Sequence, residues 1–381
     1  MNRLILHVGM PKTGSSSIQQ SLYYRLEDPR FHYLGFGLVN GSRALQTLFS
    51  IRTGDYLNEL LGLDSRQLNA VQHRLRCRLM TGLNRCRERQ ATPILSAEWC
   101  WGMTTTELTL LRDTVAERGF EPEVLVYLRP LPAWYPSGFQ ESIKWGGTSF
   151  RPFQLWDETM AGIDESDFVA GLDRLDAVFG RSHVCAVPFE KTQLKNGCIV
   201  QDFCQRLGID LPAKSIIRAN ESLSLDATRL LYTYYSRGPG FGTGRRAIEE
   251  NLLLHGQLSS LQGPPFRYHP TLLAERADHI ARQHAAVETR LGMDFGRGAP
   301  AHDEGFGVRD ESDLFRHRPE SLQWLARVTG LPCPAETEGE GCDRQVVAMV
   351  DHLRRHAPLT RRLSRIAELV HREWRRWTRG V

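Results

Sequence analysis

The sequence predicts an α/β fold: a parallel β-sheet flanked by helices, with a helical C-terminal extension. Two observations predict it. The chain opens as strand, glycine-bounded loop and helix, and it continues as alternating apolar runs and helix-period segments. Such alternation implies a parallel sheet with helices on both faces. Ligands of such sheets bind at the carboxyl ends of the strands.

The elements follow in order. The apolar run Leu4 to Val8 reads as a buried strand at 3–8. Gly9 to Gly14 reads as a tight loop, and Ser15 opens a helix over 15–26 with Ile18 and Leu22 on its inner face. A mixed helical stretch fills 41–90. Strands at 93–97 and 123–128 flank a helix at 104–118. Pro136 cannot sit deep in a helix, so the next helix is expected to begin near it and run to 144, with Ser137 in its first turn. After an insertion come a helix at 166–179 and a strand at 183–187. A helix from Gln201 to Leu207, closed by Gly208, leads into further helices to about 292.

At 381 residues the chain is long enough for one large domain or two small ones. The expected division is an α/β domain at 1–295 and a helical extension at 296–381, joined by the Gly/Pro-rich stretch Gly296 to Gly307. A net charge of +4 is too balanced for general nucleic-acid binding. The eight cysteines include no C-x-x-C pair and read as buried free thiols of a reducing compartment. The first strand begins at Arg3, and no apolar stretch approaches the ~18 residues of a membrane span. A cytoplasmic enzyme is the expectation.

Strand, glycine-bounded loop and helix present a row of backbone N–H groups to a phosphate. The spacing Gly9-x-x-x-x-Gly14 matches the start of a P-loop, whose lysine follows the second glycine. Here Ser15 and Ser16 occupy those positions and the lysine, Lys12, lies inside the loop. An ordinary ATPase or GTPase is thereby disfavoured. Pro11-Lys12-Thr13-Gly14-Ser15-Ser16-Ser17 instead resembles the 5′-phosphosulfate loop of the sulfotransferases, which take a sulfuryl group from 3′-phosphoadenosine 5′-phosphosulfate (PAPS). A second segment carries the same resemblance: the strand Glu123 to Leu128 ends in Arg129, and Ser137 follows eight residues later. In the family such an arginine and serine hold the 3′-phosphate, and a guanidinium suits that task because it binds phosphate bidentately. Read by itself, Arg129 has a competing reading as a structural ion-pair residue. A third, looser likeness lies in the strand ending Phe189-Glu190, the helix closing in Leu207-Gly208, and Asn220-Glu221-Ser222-Leu223-Ser224. Glu190 is read as structural, an N-cap or an ion-pair partner. The resemblance covers residues 1 to 295 and implies a P-loop-type sheet.

The resemblance also implies a chemistry. Sulfuryl transfer is in-line, so the protein positions the reactants and neutralises charge on the bridging oxygen. Lys12 is the residue for that oxygen. The backbone N–H groups and hydroxyls of Thr13, Gly14, Ser15, Ser16 and Ser17 would hold the 5′-phosphate. No metal is called for. A base must take the acceptor hydroxyl's proton, and Glu98, in Ser96-Ala97-Glu98 at a strand end, matches the Ser-x-Glu of many bacterial members. An N-cap or ion-pair role is the competing reading of Glu98. His7, inside the first strand, reads as a packed core histidine; His32 and His73 are the reserve candidates for the base. Trp99, Trp101 and Trp145 read as a sugar platform or as core. Gln140 and Lys144, one turn apart, would face the acceptor.

The reaction so implied is transfer to a hydroxyl of a bacterial glycan or glycolipid. A P-loop kinase-like phosphotransferase and a catalytically silent sulfotransferase-fold binding protein are the alternatives. Two basic segments remain. Residues 236–247 form a glycine-rich loop with Arg245 and Arg246 as candidate 3′-phosphate ligands. The last helix carries Leu359, Leu363, Ile366, Val370, Trp374 and Trp377 as one apolar stripe among arginines. Such a helix docks on its own domain or lies peripherally on an anionic membrane.

Overall fold

The computed structural model describes residues 1–51, 64–145, 153, 159–160, 163–219, 222–239, 245–296 and 307–356. Five strands form one all-parallel sheet: β1 (Asn2–Gly9), β2 (Phe31–Tyr33), β3 (Thr92–Ala97), β4 (Phe120–Leu128) and β5 (Val184–Pro188), in the order β2-β3-β1-β4-β5. Val8 lies beside Ala97 of β3 and Gly9 beside Tyr127 of β4, so three strands end together. The chain leaves β1 toward β2 and leaves β4 toward β5, on opposite sides. The crevice between β1 and β4 is therefore the switch point of the sheet, where such folds place their ligands.

Side-chain alternation along the strands divides the core into two layers. Leu4, Leu6 and Val8 of β1 join Val124, Val126 and Leu128 of β4 on one face. That face is covered by α2 (Ser42–Phe49), α3 (Ser65–Glu88), α4 (Thr105–Ala116), α5 (Leu131–Trp145) and α6 (Phe168–Phe179). Ile5, Leu125 and Tyr127 face the other way, against α1 (Ser15–Arg25) and α7 (Ile199–Leu207). His7 points into this second layer. It is fully buried with its ring edge-on to Phe203 and its Nδ1 2.8 Å from Ser96 Oγ, as a core histidine should be.

The remaining helices, α8 (Leu225–Arg237), α9 (Arg245–Leu258), α10 (Ala277–Leu291), α11 (Pro319–Thr329) and α12 (Glu340–Arg355), extend the first layer. Leu322, Leu325, Val346 and Val350 of α11 and α12 are buried in the same apolar core as Leu230 and Leu231 of α8. Tyr234 Oη donates to Asp351 at 2.9 Å, and Arg354 pairs with Glu250 at 2.6 Å.

Two elements differ from the sequence reading. The three-residue β2 was not foreseen, because Phe31-His-Tyr is too short to show a period. Helix α5 starts at Leu131, five residues before Pro136, which lies inside it. Pro132 suits a first turn, the Pro130 carbonyl accepts from both Ala133 and Trp134 N–H at 3.0 Å, and His284 Nε2 accepts the Leu131 N–H at 3.2 Å. Trp134 is buried and its Nε1 donates to the Pro11 carbonyl at 2.9 Å, so packing outweighs the hydrogen bond that Pro136 forgoes.

All eight cysteines are free; Cys77, Cys185 and Cys333 are exposed, so the expectation of buried thiols holds only for part of the set. Among the described residues no helix is long and apolar enough to cross a membrane. Residues 357–381, expected to form the helix with the Trp374 and Trp377 stripe, and residues 240–244 of the expected glycine-rich loop lie outside the described residues.

Candidate active site

The site forms at the carboxyl ends of β1, β3 and β4. After β1 the backbone turns through Lys12 at φ 68° and Gly14 at φ 78°, both left-handed. Gly14 is the N-cap of α1 and, having no side chain, caps nothing; the first turn of α1 carries no carboxylate. The N–H groups of Thr13, Gly14 and Ser15 have no acceptor among the described residues. Unpaired donors at the positive end of a helix dipole form a seat for an anion. Gly9 is required by close approach: a Cβ there would lie 2.5 Å from Ser15 Oγ and 2.8 Å from Glu98 Cγ. Those two side chains therefore crowd the same stretch of backbone.

The hydroxyls of the loop are less available than the sequence implied. Thr13 Oγ1 donates to the Met10 carbonyl at 2.7 Å, bracing the turn. Ser17 is a correction. Its N–H donates to the Gly14 carbonyl at 3.0 Å, and its Oγ accepts from Ala219 N–H at 3.0 Å. Ser21 does the same for Ile217 at 2.9 Å, so the two serines fasten segment 217–219 along α1. Ser17 lies past the last free donor of the helix end, and its polar groups are spent on structure. Ser15 lies beside the turn, its Oγ 3.4 Å from Thr13 Oγ1.

Lys12 reaches across to α5, where its Nζ lies 2.8 Å from Glu141 Oε2 in a half-buried ion pair. Glu141 was not foreseen. A signal existed, since residues four apart share a helix face and Glu141 follows Ser137 by four. Gln140, on the adjacent face, turns inward instead: its Nε2 donates to the Leu223 carbonyl and Thr228 Oγ1, both at 2.8 Å. It is buried structure and does not face an acceptor. The side chains of Lys144 and Trp145 lie outside what the structure describes.

Glu98 opens the 3₁₀ turn Glu98–Gly102 directly after β3 and faces the same centre. Burial, with the charge of Glu141 adding to it, pushes its carboxyl up to about 7; Lys12 and Ser15 act in the opposite direction. The dominant cause is loss of water, so the site holds a carboxyl that titrates near neutrality. Glu98 is neither an N-cap nor an ion-pair partner among the described residues. His32 lies on edge strand β2 and His73 is exposed on α3, 3.6 Å from Cys77 Sγ. Neither is among the groups gathered around Lys12. Trp101 is buried with its Nε1 donating to the Glu165 carbonyl at 3.0 Å, hence core. Trp99 is half-buried beside Glu98, and its N–H donates to Ser42 Oγ at 3.0 Å.

Arg129 ends β4 on the other side of the crevice. Its Nη1 donates to the Lys12 carbonyl at 2.8 Å and to Ser137 Oγ at 3.1 Å, and its guanidinium lies 5.7 Å from the Phe189 ring centre. It makes no ion pair among the described residues, so the structural ion-pair reading fails. Burial alone pulls its pKa down, to about 10. A desolvated guanidinium with unused donors and no counter-charge fits an anionic ligand. Glu190 Oε1 accepts from Gly296 N–H at 3.0 Å, and among the described residues Glu190 is neither a side-chain cap nor an ion-pair partner.

These parts form two anion seats, the start of α1 and the Arg129–Ser137 pair, joined by the Lys12 backbone. A lysine and two carboxylates stand at the centre. This arrangement, on an all-parallel sheet, could hold anionic groups and exchange a proton near neutral pH. Among the described residues no cluster could hold a metal ion.

No family model matches the chain, and no curated protein does. Among solved structures it is similar to a sulfotransferase from Alicyclobacillus acidocaldarius, at 16% identity and a TM-score of 0.40 over 77% of this chain and 98% of that one. A likeness that distant adds nothing to the reading of the site, which rests on the geometry above.

Proposed function

We propose that the chain is a sulfotransferase that moves a sulfuryl group from PAPS to a hydroxyl of a bacterial glycan or glycolipid. The observation that carries this reading is Arg129. It is a half-buried guanidinium, largely desolvated and without a counter-charge among the described residues, and it touches both Ser137 and the backbone of the lysine-bearing loop. Two anion seats on either side of a lysine suit a donor with phosphate groups at both ends of a nucleoside. Arg129 and Ser137 would take the 3′-phosphate, and the N–H groups of Thr13, Gly14 and Ser15 the 5′-phosphate.

In this reading the acceptor oxygen attacks sulfur in line, a new S–O bond forms, and the S–O bond to the 5′-phosphate breaks with its electron pair leaving on the phosphate. Lys12 stabilises that leaving oxygen, for which it exchanges its contact with Glu141. The acceptor proton passes to Glu98, whose elevated pKa makes it a proton acceptor matched to neutral pH.

Calorimetry with 3′-phosphoadenosine 5′-phosphate (PAP) and with ATP·Mg²⁺ tests the donor class. PAP should bind at micromolar concentration and ATP·Mg²⁺ should not; tight ATP·Mg²⁺ binding without PAP binding overturns the proposal in favour of a phosphotransferase. With an acceptor in hand, Glu98→Gln should lower turnover ~10²–10⁴-fold, the range for a positioned base, while leaving PAP affinity nearly unchanged.

A further inference from the structure

Helix α3 carries an excess of positive charge. Residues 64–89 hold seven arginines and no lysine against only Asp64 and Glu88, a surplus of five in a chain whose total is +4. Arg66, Arg76, Arg78, Arg85, Arg87 and Arg89 are exposed and have no ion-pair partner among the described residues. At 24 residues the helix is about 36 Å long.

Arg78, Arg85 and Arg89, seven and four residues apart, share one side of the helix. That side faces edge strand β2. Arg78 Nη1 donates to the Phe36 carbonyl at 2.6 Å, and the charges of Arg85 and Arg89 bear on His32 of β2. The row leads toward the site. Phe36 precedes the turn to Gly41, whose N–H donates to the Ser96 carbonyl at 2.9 Å, two residues before Glu98. Ser42 of the same segment holds Trp99, and Arg43 beside it is exposed and likewise lacks an ion pair among the described residues.

We propose that this arginine row, continued by Arg43 at the mouth of the site, is the track on which an anionic polysaccharide acceptor lies while one of its hydroxyls reaches Glu98. The inference rests on the sulfotransferase reading and narrows its acceptor to glycans that bear carboxylate or sulfate groups. Guanidinium forks match those groups bidentately, which accounts for a row made only of arginine. A linear polyanion fits charges spaced along a rod. A bilayer surface would want an apolar anchor, and none of the exposed large hydrophobics lies on α3. Single-stranded nucleic acid would want aromatic faces for its bases, and residues 64–89 contain no aromatic side chain besides His73.

The test titrates the full chain with heparin, with dextran as the uncharged control, and with PAP alongside. Heparin should bind, dextran should not, and added salt should weaken the binding steeply. The variant R85Q/R89Q touches no side-chain hydrogen bond among the described residues; it should lose about tenfold or more in heparin affinity at unchanged PAP affinity. Heparin bound no better than dextran, or bound equally by the variant, overturns the track while leaving the PAP result standing. Phosphatidylglycerol vesicles or oligo-dT bound as tightly as heparin, with the same loss in the variant, would assign the row to a membrane or a nucleic acid and overturn it as well. Failure of the parent chain to bind PAP would sink the sulfotransferase reading independently.

Discussion

Replacing Arg129 with Met removes the guanidinium but keeps most of the apolar stem, so two separate consequences can be worked out. The first is direct. A hydrogen-bonded charge contributes about 1.5–3 kcal/mol, which is about 10- to 150-fold in the dissociation constant of PAP. The second passes through the loop. Arg129 Nη1 holds the Lys12 carbonyl at 2.8 Å, and Lys12 sits at φ 68°, where a residue with a side chain is strained by roughly 1–2 kcal/mol. Loss of that bond loosens the seat for the 5′-phosphate too. Calorimetry with PAP and with adenosine 5′-phosphate, which lacks the 3′-phosphate, separates the two. The PAP loss should exceed the adenosine 5′-phosphate loss by about tenfold or more, and the latter should be small but measurable. Ser137→Ala should show the same pattern at about 0.5–1.5 kcal/mol, as befits a neutral hydroxyl. Equal losses for both nucleotides would refute the reasoning: Arg129 would then only brace the loop.

Other outcomes follow from the same geometry. Lys12→Ala should reduce turnover at least ~10²-fold through lost charge stabilisation of the leaving oxygen and weaken PAP binding less; near-normal turnover would remove Lys12 from the chemistry. Glu141→Gln takes a negative charge away from Glu98, so the acid limb of the kcat/KM profile should move to lower pH from its position near 7, and an unmoved limb would show that the two carboxylates do not interact. Glu98 keeps its proton in the folded chain up to about 7 while the unfolded chain releases it near 4.5, so its burial costs stability as pH rises through that window. Glu98→Gln should therefore gain in Tm over the parent between pH 4.5 and 7, and a constant difference would contradict the burial. His7 and His317 are buried, with pKa pulled from 6.5 down to about 3 and about 4 by loss of water. Below pH 6.5 the unfolded chain takes up protons that the folded chain cannot, so each should lower stability by about 1.4 kcal/mol per pH unit down to about pH 4. Urea unfolding of His317→Gln at several pH values reads the slope, which should be shallower than the parent's by one proton.

Much of the fold was legible because its signals are local. Leu4 to Val8, Pro93 to Ala97 and Glu123 to Leu128 are apolar runs that no exposed segment would carry, and each is a strand of the sheet. Gly208 was read as a helix stop and sits at φ 72° behind α7. The same locality explains the failures. Pro136 argues against a helix on backbone grounds alone, and the burial of Trp134 that overrides it comes from residues far along the chain. Three residues of β2 leave no pattern, because β3 and not their own sequence makes them a strand.

The type and spacing of the chemical groups are written in the chain: a lysine inside a glycine-bounded loop, an arginine at a strand end, a serine eight residues on, a glutamate after another strand. A parallel sheet turns such positions into neighbours, since strands that run together end together. How those groups are charged and which partners they take depends on the folded chain. It placed Glu141 on Lys12, withdrew Ser17 and Gln140 into structural bonds, and left Arg129 without a counter-ion among the described residues. Ion pairing and desolvation depend on what lies within a few ångströms in space. Side chains such as Lys12 and Glu141, 129 residues apart, meet only after the sheet and α5 have been assembled.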